Sequence, residues 1–552
     1  MTSVARTLVA RTLPRRDDFP SSRGDWTADL VAGITVGVVA LPLALGFGIG
    51  AGLGATAGLI TAIVAGIVAA LFGGSHLQVS GPTGAMTVVL VPIVAQYGVG
   101  AVPLLAILAG VMVIAAGLLG LGRAVSLVPW PVVEGFTVGI AVIIFLQQVP
   151  LLLDAQVEGE SNVVVSAIDA VRGATWSGSA PALLVCTVVV ALMVVLRIVR
   201  PTFPGSLVAV IVGTVTSIAF GLDVATIGEV ALGDVTFGVD LPAGDAVRSL
   251  VQAAGVIALL AALESLLSAR VADGMSDRPA TDPDRELVGQ GLANVASGLF
   301  GGMPATGAIA RTAVNVRAGA RTRMASLLHG VVLLVVLLGA SPLVEEIPLA
   351  ALAGVLMVTA TRMVDVAAVR AILRASRSDA LVFVATAFTT IAFDLVLAVE
   401  VGFVISMVLV LRASARASSV EEEDVEVDAG GADADRLREL MREHVVVYRL
   451  EGSLFFGAAQ RFLDEVTSLD RARVVVLRLG WLHVLDASGA HAVVEMVESL
   501  EHRGIRVLVC GIRARHRQVL EAVGIPGEHV DESHVFTDLD SALQRAHELV
   551  TA

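Results

Sequence analysis

The chain has 552 residues, of which 56% are hydrophobic and 16% charged, with a mean hydropathy of +0.84 and a formal net charge of -14. Soluble proteins carry about 25% charged residues, so the composition excludes an ordinary globular protein and indicates a polytopic membrane protein with a soluble part attached. The acidic balance argues against nucleic acid as a partner, and all basic charge is arginine, since the chain has no lysine.

Residues 1–25 carry Arg6, Arg11, Arg15, Arg16 and Arg23 without a long apolar core, which predicts a cytoplasmic tail and not a cleaved signal peptide. From 26 to 412 apolar segments follow one another. Their pattern predicts spans near 31–52, 55–72, 82–94, 101–121, 132–152, 182–198, 206–220, 251–271, 287–300, 306–316, 324–340, 347–360, 380–394 and 395–411. Several fall short of the ~20 residues that a bilayer core of about 30 Å demands. Such segments fit only as broken or partial crossings inside protein.

Two of the short segments are approached in the same way. Leu71-Phe72-Gly73-Gly74 precedes Ser80-Gly81-Pro82-Thr83-Gly84-Ala85, and Leu299-Phe300-Gly301-Gly302 precedes Pro304-Ala305-Thr306-Gly307-Ala308. Glycine and proline alone merely kink transmembrane helices. Matching breaks in two halves of a membrane protein instead point to a transporter's binding site, because two half-helices aim their unpaired N–H groups and positive dipole ends at one spot. An anion would be stabilised there. The donors would come from Thr83, Gly84 and Ala85 and from Thr306, Gly307 and Ala308.

Loops expected inside receive arginines, among them Arg197, Arg270, Arg278, Arg317, Arg321, Arg370 and Arg377, whereas those expected outside receive Asp154, Glu158, Glu160, Asp223, Glu229, Asp234 and Asp240. This positive-inside pattern places both termini in the cytoplasm, in the inner membrane of a cell. Arg172, in an expected outside loop, departs from it. From 413 to 444 the apolar pattern stops, Glu421-Glu422-Glu423-Asp424 appears, and a solvated linker or polar helix is expected. Over 445–552, apolar strands at 445–450, 474–479 and 507–510 alternate with helical spacing at 487–503 and 514–523, which indicates a small α/β domain.

Glu264 stands deep in an apolar helix, and an intramembrane carboxylate marks an ion or proton pathway by default. Ser268, one turn on, could share a cation with it; the alternatives are a proton on Glu264 or a structural brace. Arg311 could add positive charge beside an anion, pair with Glu264, or reach the cytoplasmic surface. Asp273, Arg285, Glu286, Gln290 and Asn294 form a polar run expected at the cytoplasmic surface and in gate packing. In the soluble part Asp486 is placed to cap a helix, with Ser488 in its first turn. Cys186 and Cys510 lie too far apart in kind and sequence for a disulfide or metal site. No phosphate loop of Walker type occurs, so an ATP-driven pump has no support, and no catalytic motif points to an enzyme.

These motifs resemble the SulP (sulfate permease) anion transporter family. The likeness is carried by Ala57-Gly58-Leu59, Ser80-Gly81-Pro82-Thr83-Gly84, Leu263-Glu264-Ser265-Leu266, the stretch from Arg285 to Asn294, and Gly301-Gly302-Met303-Pro304 with Arg311-Thr312 and Asn315. The last domain looks like a STAS domain, similar to anti-sigma-factor antagonists. The resemblance implies fourteen helical segments in two inverted seven-segment repeats, with a core that moves against a gate, an α/β STAS domain, and a homodimer. Leu41-Pro42-Leu43-Ala44-Leu45-Gly46-Phe47 is most like the sodium-dependent bicarbonate transporters of cyanobacteria. Carried over by motif, their sodium site would fall on Glu264, Ser268, Gly307, Ala308 and Ile309. Glu264 stands where they have Asp and Ile309 where they have Thr; since isoleucine cannot ligate a cation, a proton on Glu264 is the rival coupling ion. Ser488 matches the residue phosphorylated in the antagonists, which implies a possible regulatory partner.

The expected function is secondary transport of a small inorganic anion, bicarbonate first and sulfate or a dicarboxylate as the alternative. Sodium is the sole cofactor-like group implied, and membrane lipid the surrounding partner. A membrane-anchored STAS signalling protein without transport is the alternative from another class. Against it, an anchor has no use for a buried carboxylate.

Overall fold

The computed structural model describes residues 13–123, 129–153, 162–199, 205–228, 244–393, 401–402, 404–409, 419–423, 434–454 and 472–551. Arg6 and Arg11 of the tail, the loop carboxylates Asp154, Glu158, Glu160, Glu229, Asp234 and Asp240, and parts of the expected last span and linker lie outside the described residues. The chain divides into two compact units, Met1–Phe403 and Val404–Ala552.

The first unit is helical where hydropathy demands it. Its first half runs α1 (Arg23–Gly50), α2 (Ala55–Phe72), strand β1 (Ser80–Gly81), α3 (Gly84–Tyr97), α4 (Ala101–Leu118), α5 (Trp130–Leu152), α6 (Val163–Gly173), α7 (Trp176–Val199) and α8 (Gly205–Ala219). The second runs α9 (Gly244–Met275), α10 (Pro283–Leu299), β2 (Thr306–Gly307), α11 (Ile309–Arg317), α12 (Arg323–Gly339), α13 (Ser341–Glu345), α14 (Leu349–Met363), α15 (Val366–Ala375) and α16 (Arg377–Ala392). Among the described residues, seven helices are long and apolar enough to cross a membrane, with shorter apolar helices between them. Both halves have two helices, a two-residue strand, a short helix and a longer one, and later a short helix (α6 or α15) between two longer ones. Neither α6 nor α15 follows from the hydropathy reading, because each buries only two residues, Ala167 and Ala170 in one and Ala368 and Ile372 in the other. Arg172, the exception to the charge pattern, is the last-turn basic residue of α6.

Packing repeats this symmetry: α10 lies against α2 and α4, and α12 lies against α1 and α2, while α5 packs on α14 and α16. Close approach rests on glycine. A Cβ on either Gly110 of α4 or Gly291 of α10 would come within 2.6 Å of the other's carbonyl oxygen, which is the use of small residues at membrane helix contacts. The two breaks meet at the centre of this arrangement. β1 pairs antiparallel with β2, Ser80 opposite Gly307 and Gly81 opposite Thr306.

The second unit has a six-stranded sheet in the order β3-β4-β5-β7-β8, with β6 paired to β4. Its strands are β3 (Ser419–Glu423), β4 (Val445–Leu454), β5 (Val474–Arg478), β6 (Leu482–Leu485), β7 (Arg506–Cys510) and β8 (Val535–Phe536). The Val474-Val475-Val476-Leu477 run is buried throughout, as expected of a strand covered on both faces. One face packs on α18 (Ala487–His502) and α19 (Ala514–Glu521), through Val493, Val497 and Leu520. The other packs on α17 (Ala434–His444) and α20 (Leu539–Thr551), through Met441, Ala542 and Ala546.

The stretch expected to be a linker therefore holds two elements, β3 and α17. The acidic run is a strand because its charges find cations across the sheet: Arg449 donates to Glu421, and Arg478 donates to Glu423 at 2.9 Å.

Candidate functional site

Pro82 lacks an N–H and ends β1. The chain then turns into α3 with Thr83 as N-cap, while Ala308 is the N-cap of α11, and neither makes a side-chain cap bond. The first-turn N–H groups of both helices are thus left for another partner. Both helix starts open on one cavity of about 400 Å³. Thr83, Gly84 and Ala85 line it from the first break, Gly307, Ala308, Ile309 and Arg311 from the second, and Glu264 of α9 lies between. Leu43, Phe47, Phe136 and Ile140 make the wall largely apolar, and Ser206, Thr359 and Arg362 add polar groups that sequence reasoning did not assign to the site.

Glu264 ties the breaks together. Its Oε2 accepts from Thr306 Oγ1 at 2.6 Å and from Thr83 Oγ1 at 3.0 Å. Thr306 is fully buried and does not line the cavity, and its hydroxyl is bound to the carboxylate. Successive side chains of a strand point to opposite sides, and pairing with Gly81 turns Thr306 toward α9.

Ser268 is likewise engaged elsewhere. Its Oγ lies 2.8 Å from Thr312 Oγ1, which accepts from the Val79 N–H at 3.0 Å. Ser265, next to Glu264, accepts from the Gly307 N–H at 3.0 Å. The serines of α9 thus fasten the second break, and Ser268 is buried off the cavity wall. Ile309 is on the wall, 42% exposed, and brings no ligand oxygen in its side chain. Arg311 is 2% exposed; its Nη2 donates to the Pro82 carbonyl, and its Nη1 has no hydrogen-bond partner among the described residues. It forms neither the ion pair with Glu264 nor the surface contact considered for it.

The polar run on α10 is buried, not at the surface as expected. Glu286 is 2% exposed, and Gln290 and Asn294 are fully buried. Glu286 accepts from the Gly74 N–H at 2.8 Å, the Ser75 N–H at 3.0 Å and Gln78 Nε2 at 2.8 Å. Gln290 Oε1 accepts from Ser80 Oγ at 2.9 Å, and its Nε2 donates to the Ala305 carbonyl at 2.8 Å. Asn294 holds the Ala305 N–H at 2.8 Å and its carbonyl at 2.9 Å. The fourfold spacing of these residues was a readable sign of one polar helix face, masked by the charged loop just before it.

Asp18 of the tail is buried beside two arginines and a histidine. It contacts Arg285 Nη2 at 3.2 Å, Arg323 Nε at 3.3 Å and His76 Nδ1 at 3.5 Å. Burial opposes its charge, but the Arg15 N–H, Arg323 and Arg285 outweigh that and hold its carboxyl below the usual range. In the soluble unit, Asp486 caps α18 by accepting from the Gly489 N–H at 2.7 Å, and Ser488 is exposed in the first turn.

Residues 26–386 match the sulfate permease family, and residues 440–542 match the STAS domain. The chain belongs to the sulfate permease family. It is a multi-pass membrane protein and an anion transporter of that family, with a C-terminal STAS domain. It is 35% identical to a putative sulfate transporter of Bacillus subtilis, YvdB, over 85% of this chain and 88% of the relative. It is 33% identical to the bicarbonate transporter BicA of Synechocystis, over 86% of each. Among solved structures, the transmembrane domain of a cyanobacterial BicA superposes with a TM-score of 0.61 at 34% identity, covering 69% of this chain and 97% of that one. A murine solute carrier 26 family anion transporter in the inward-facing state shares the fold, with a TM-score of 0.86 at 18% identity over 98% of this chain and 95% of that one.

Proposed function

We propose that this transporter carries a small inorganic oxyanion by alternating access, bicarbonate before sulfate or a dicarboxylate, with sodium or a proton coupled through Glu264. The observation that carries this reading is the opening of two uncapped helix starts on one cavity beside Glu264. The anion would be held by backbone N–H groups of the first turns and by the free Nη1 of Arg311. Each helix end contributes only about half a charge, and that modest field suits a planar monovalent anion. Likeness to BicA supports bicarbonate, whereas likeness to the putative sulfate transporter and a second guanidinium on the wall, Arg362, support sulfate. For coupling, both threonine hydroxyls go to Glu264 Oε2, which leaves Oε1 for an incoming proton or sodium ion. Ile309 weakens the case for sodium, because its side chain offers no oxygen. The arginine pattern supports cytoplasmic termini in the inner membrane, and a homodimer is the assembly we assign.

Uptake into proteoliposomes tests this. Labelled bicarbonate should enter under a sodium or proton gradient, and excess bicarbonate should outcompete sulfate. Rapid sulfate or dicarboxylate uptake with no bicarbonate uptake under either gradient overturns the substrate assignment.

A further inference from the structure

The ladder that sets the two helix starts side by side is only two residues long in each strand. So short a pairing is marginal without support. On the cavity wall Glu264 supports it through Thr83 and Thr306. Away from the cavity Thr312 and Asn315 of α11 bond to the Val79 N–H and the Leu77 carbonyl, and α10 adds polar side chains that divide the rest of the work. Glu286 grips only the loop ahead of the first break, and Asn294 grips only the second break. Gln290, one turn from each, bonds to both, through Ser80 Oγ and the Ala305 carbonyl.

We infer that Gln290 is a positioning residue for anion binding, which sets the spacing of the α3 and α11 N-termini without touching the cavity. This rests on the reading that the anion binds between those two helix starts. An uncharged amide suits the task, since it accepts at one atom and donates at the other; a carboxylate would present only acceptors to the Ala305 carbonyl. Helix-end fields act within the first turn, and a binding constellation loses affinity when its supporting groups let it drift by fractions of an ångström. Loosening Gln290 therefore weakens the site from behind.

The test uses full-length protein in proteoliposomes, with labelled bicarbonate and labelled sulfate in parallel arms. Gln290→Leu should raise KM for the transported anion about tenfold, with a smaller change in maximal rate and a wild-type elution profile. Gln290→Glu should do much the same, Ser80→Ala less, and the Ser80→Ala/Gln290→Leu double variant no more than Gln290→Leu alone. Hydrogen exchange on the same proteins without anion provides a second measurement: Gln290→Leu should speed exchange at 79–84 and at 305–309 together, and Asn294→Leu at 305–309 alone. If Gln290→Leu fails to assemble, Ser80→Ala carries the test, with a raised KM and faster exchange at 79–84. A wild-type KM in a monodisperse Gln290→Leu or Ser80→Ala protein, or faster exchange at only one break in Gln290→Leu, overturns the inference. Failure to carry bicarbonate alone moves the test to sulfate and leaves it intact, and the exchange arm stands whichever anion is carried.

Discussion

The first break leads into α3, fourteen residues whose side chains are nearly all apolar. The second leads into α11, nine residues of which Arg311, Thr312 and Asn315 are buried. Each of these three reaches back to the first break: Arg311 donates to the Pro82 carbonyl, Thr312 accepts from the Val79 N–H, and Asn315 Nδ2 donates to the Leu77 carbonyl at 2.8 Å. From α3, Thr87 donates to the Phe47 carbonyl at 3.2 Å, on α1 and away from the second break. The repeated backbone thus supplies paired helix ends, while side chains that are not repeated make one half the brace for both. Substitutions of these three α11 side chains should disturb both breaks, and substitution of Thr87 in α3 only its own.

The sharpest break of this comparison is at Glu264, the carboxylate to which each break gives a hydroxyl. Glu264→Gln keeps the shape and removes the titratable group on which both threonine hydroxyls converge. Coupled uptake should fall by about a hundredfold while the protein elutes and melts as a folded species. Equal coupled uptake by variant and wild type under one ion gradient would remove Glu264 from the coupling step.

Next in size is the contrast within the short helices. Asn315→Leu strips a donor from the Leu77 carbonyl and leaves that group buried, at a cost of about 2 kcal/mol. Thr87→Val is nearly isosteric and removes a bond whose backbone acceptor already belongs to α1, at a cost of about 0.5 kcal/mol. Thermal unfolding in detergent should rank the two variants in that order. A larger drop for Thr87→Val would show that the bracing is not one-sided.

What was legible in the sequence divides along the same line. The breaks announced themselves through Leu-Phe-Gly-Gly and Thr-Gly-Ala, because backbone conformation demands particular residues locally, and Glu264 stood out against its apolar neighbours. The braces were not legible, because each depends on a partner far along the chain. Asn315 and Leu77 are 238 residues apart, and Arg285 and Asp18 are 267 apart. The bond from Thr306 to Glu264 was hidden for the same reason: nothing local says that a strand will turn its hydroxyl to α9. The acidic run at 421–423 reads as linker until Arg449 and Arg478 are placed opposite it.

A smaller effect should come from the tail, which braces the approach to the first break. Arg323 Nη1 donates to the Ala70 and Gly73 carbonyls at the end of α2 while its Nε faces Asp18. With its folded value depressed, Asp18 adds stability that is present above the unfolded carboxyl value of about 3.9 and is lost as pH falls through the folded value. Asp18→Asn should therefore melt below wild type at pH 7, and the two should converge as the solution is acidified below pH 4. A difference that persists or grows in acid would mean that Asp18 acts by packing and not by charge.

The smallest expected effect on transport comes from removing the C-terminal sheet and its helices, whose sequence lies outside both breaks. The sheet is covered on both faces by these helices, so this part has a complete core of its own. Where the cut falls decides what is learned. A cut at 445, the boundary the apolar pattern suggests, strands β3 and α17 without the sheet they pack on, leaving Glu421 and Glu423 without Arg449 and Arg478; such a protein should express poorly for reasons unrelated to transport. A cut after the last expected span, between Arg412 and Ser419, removes the sheet whole. That truncated protein should give lower yield but the same ratio of bicarbonate to sulfate uptake as the full chain, because Glu264, Arg311 and both helix starts remain. A changed ratio in a monodisperse truncated protein would make the STAS domain part of anion selection, and the bracing of the two breaks would then be an incomplete account of how the site is held.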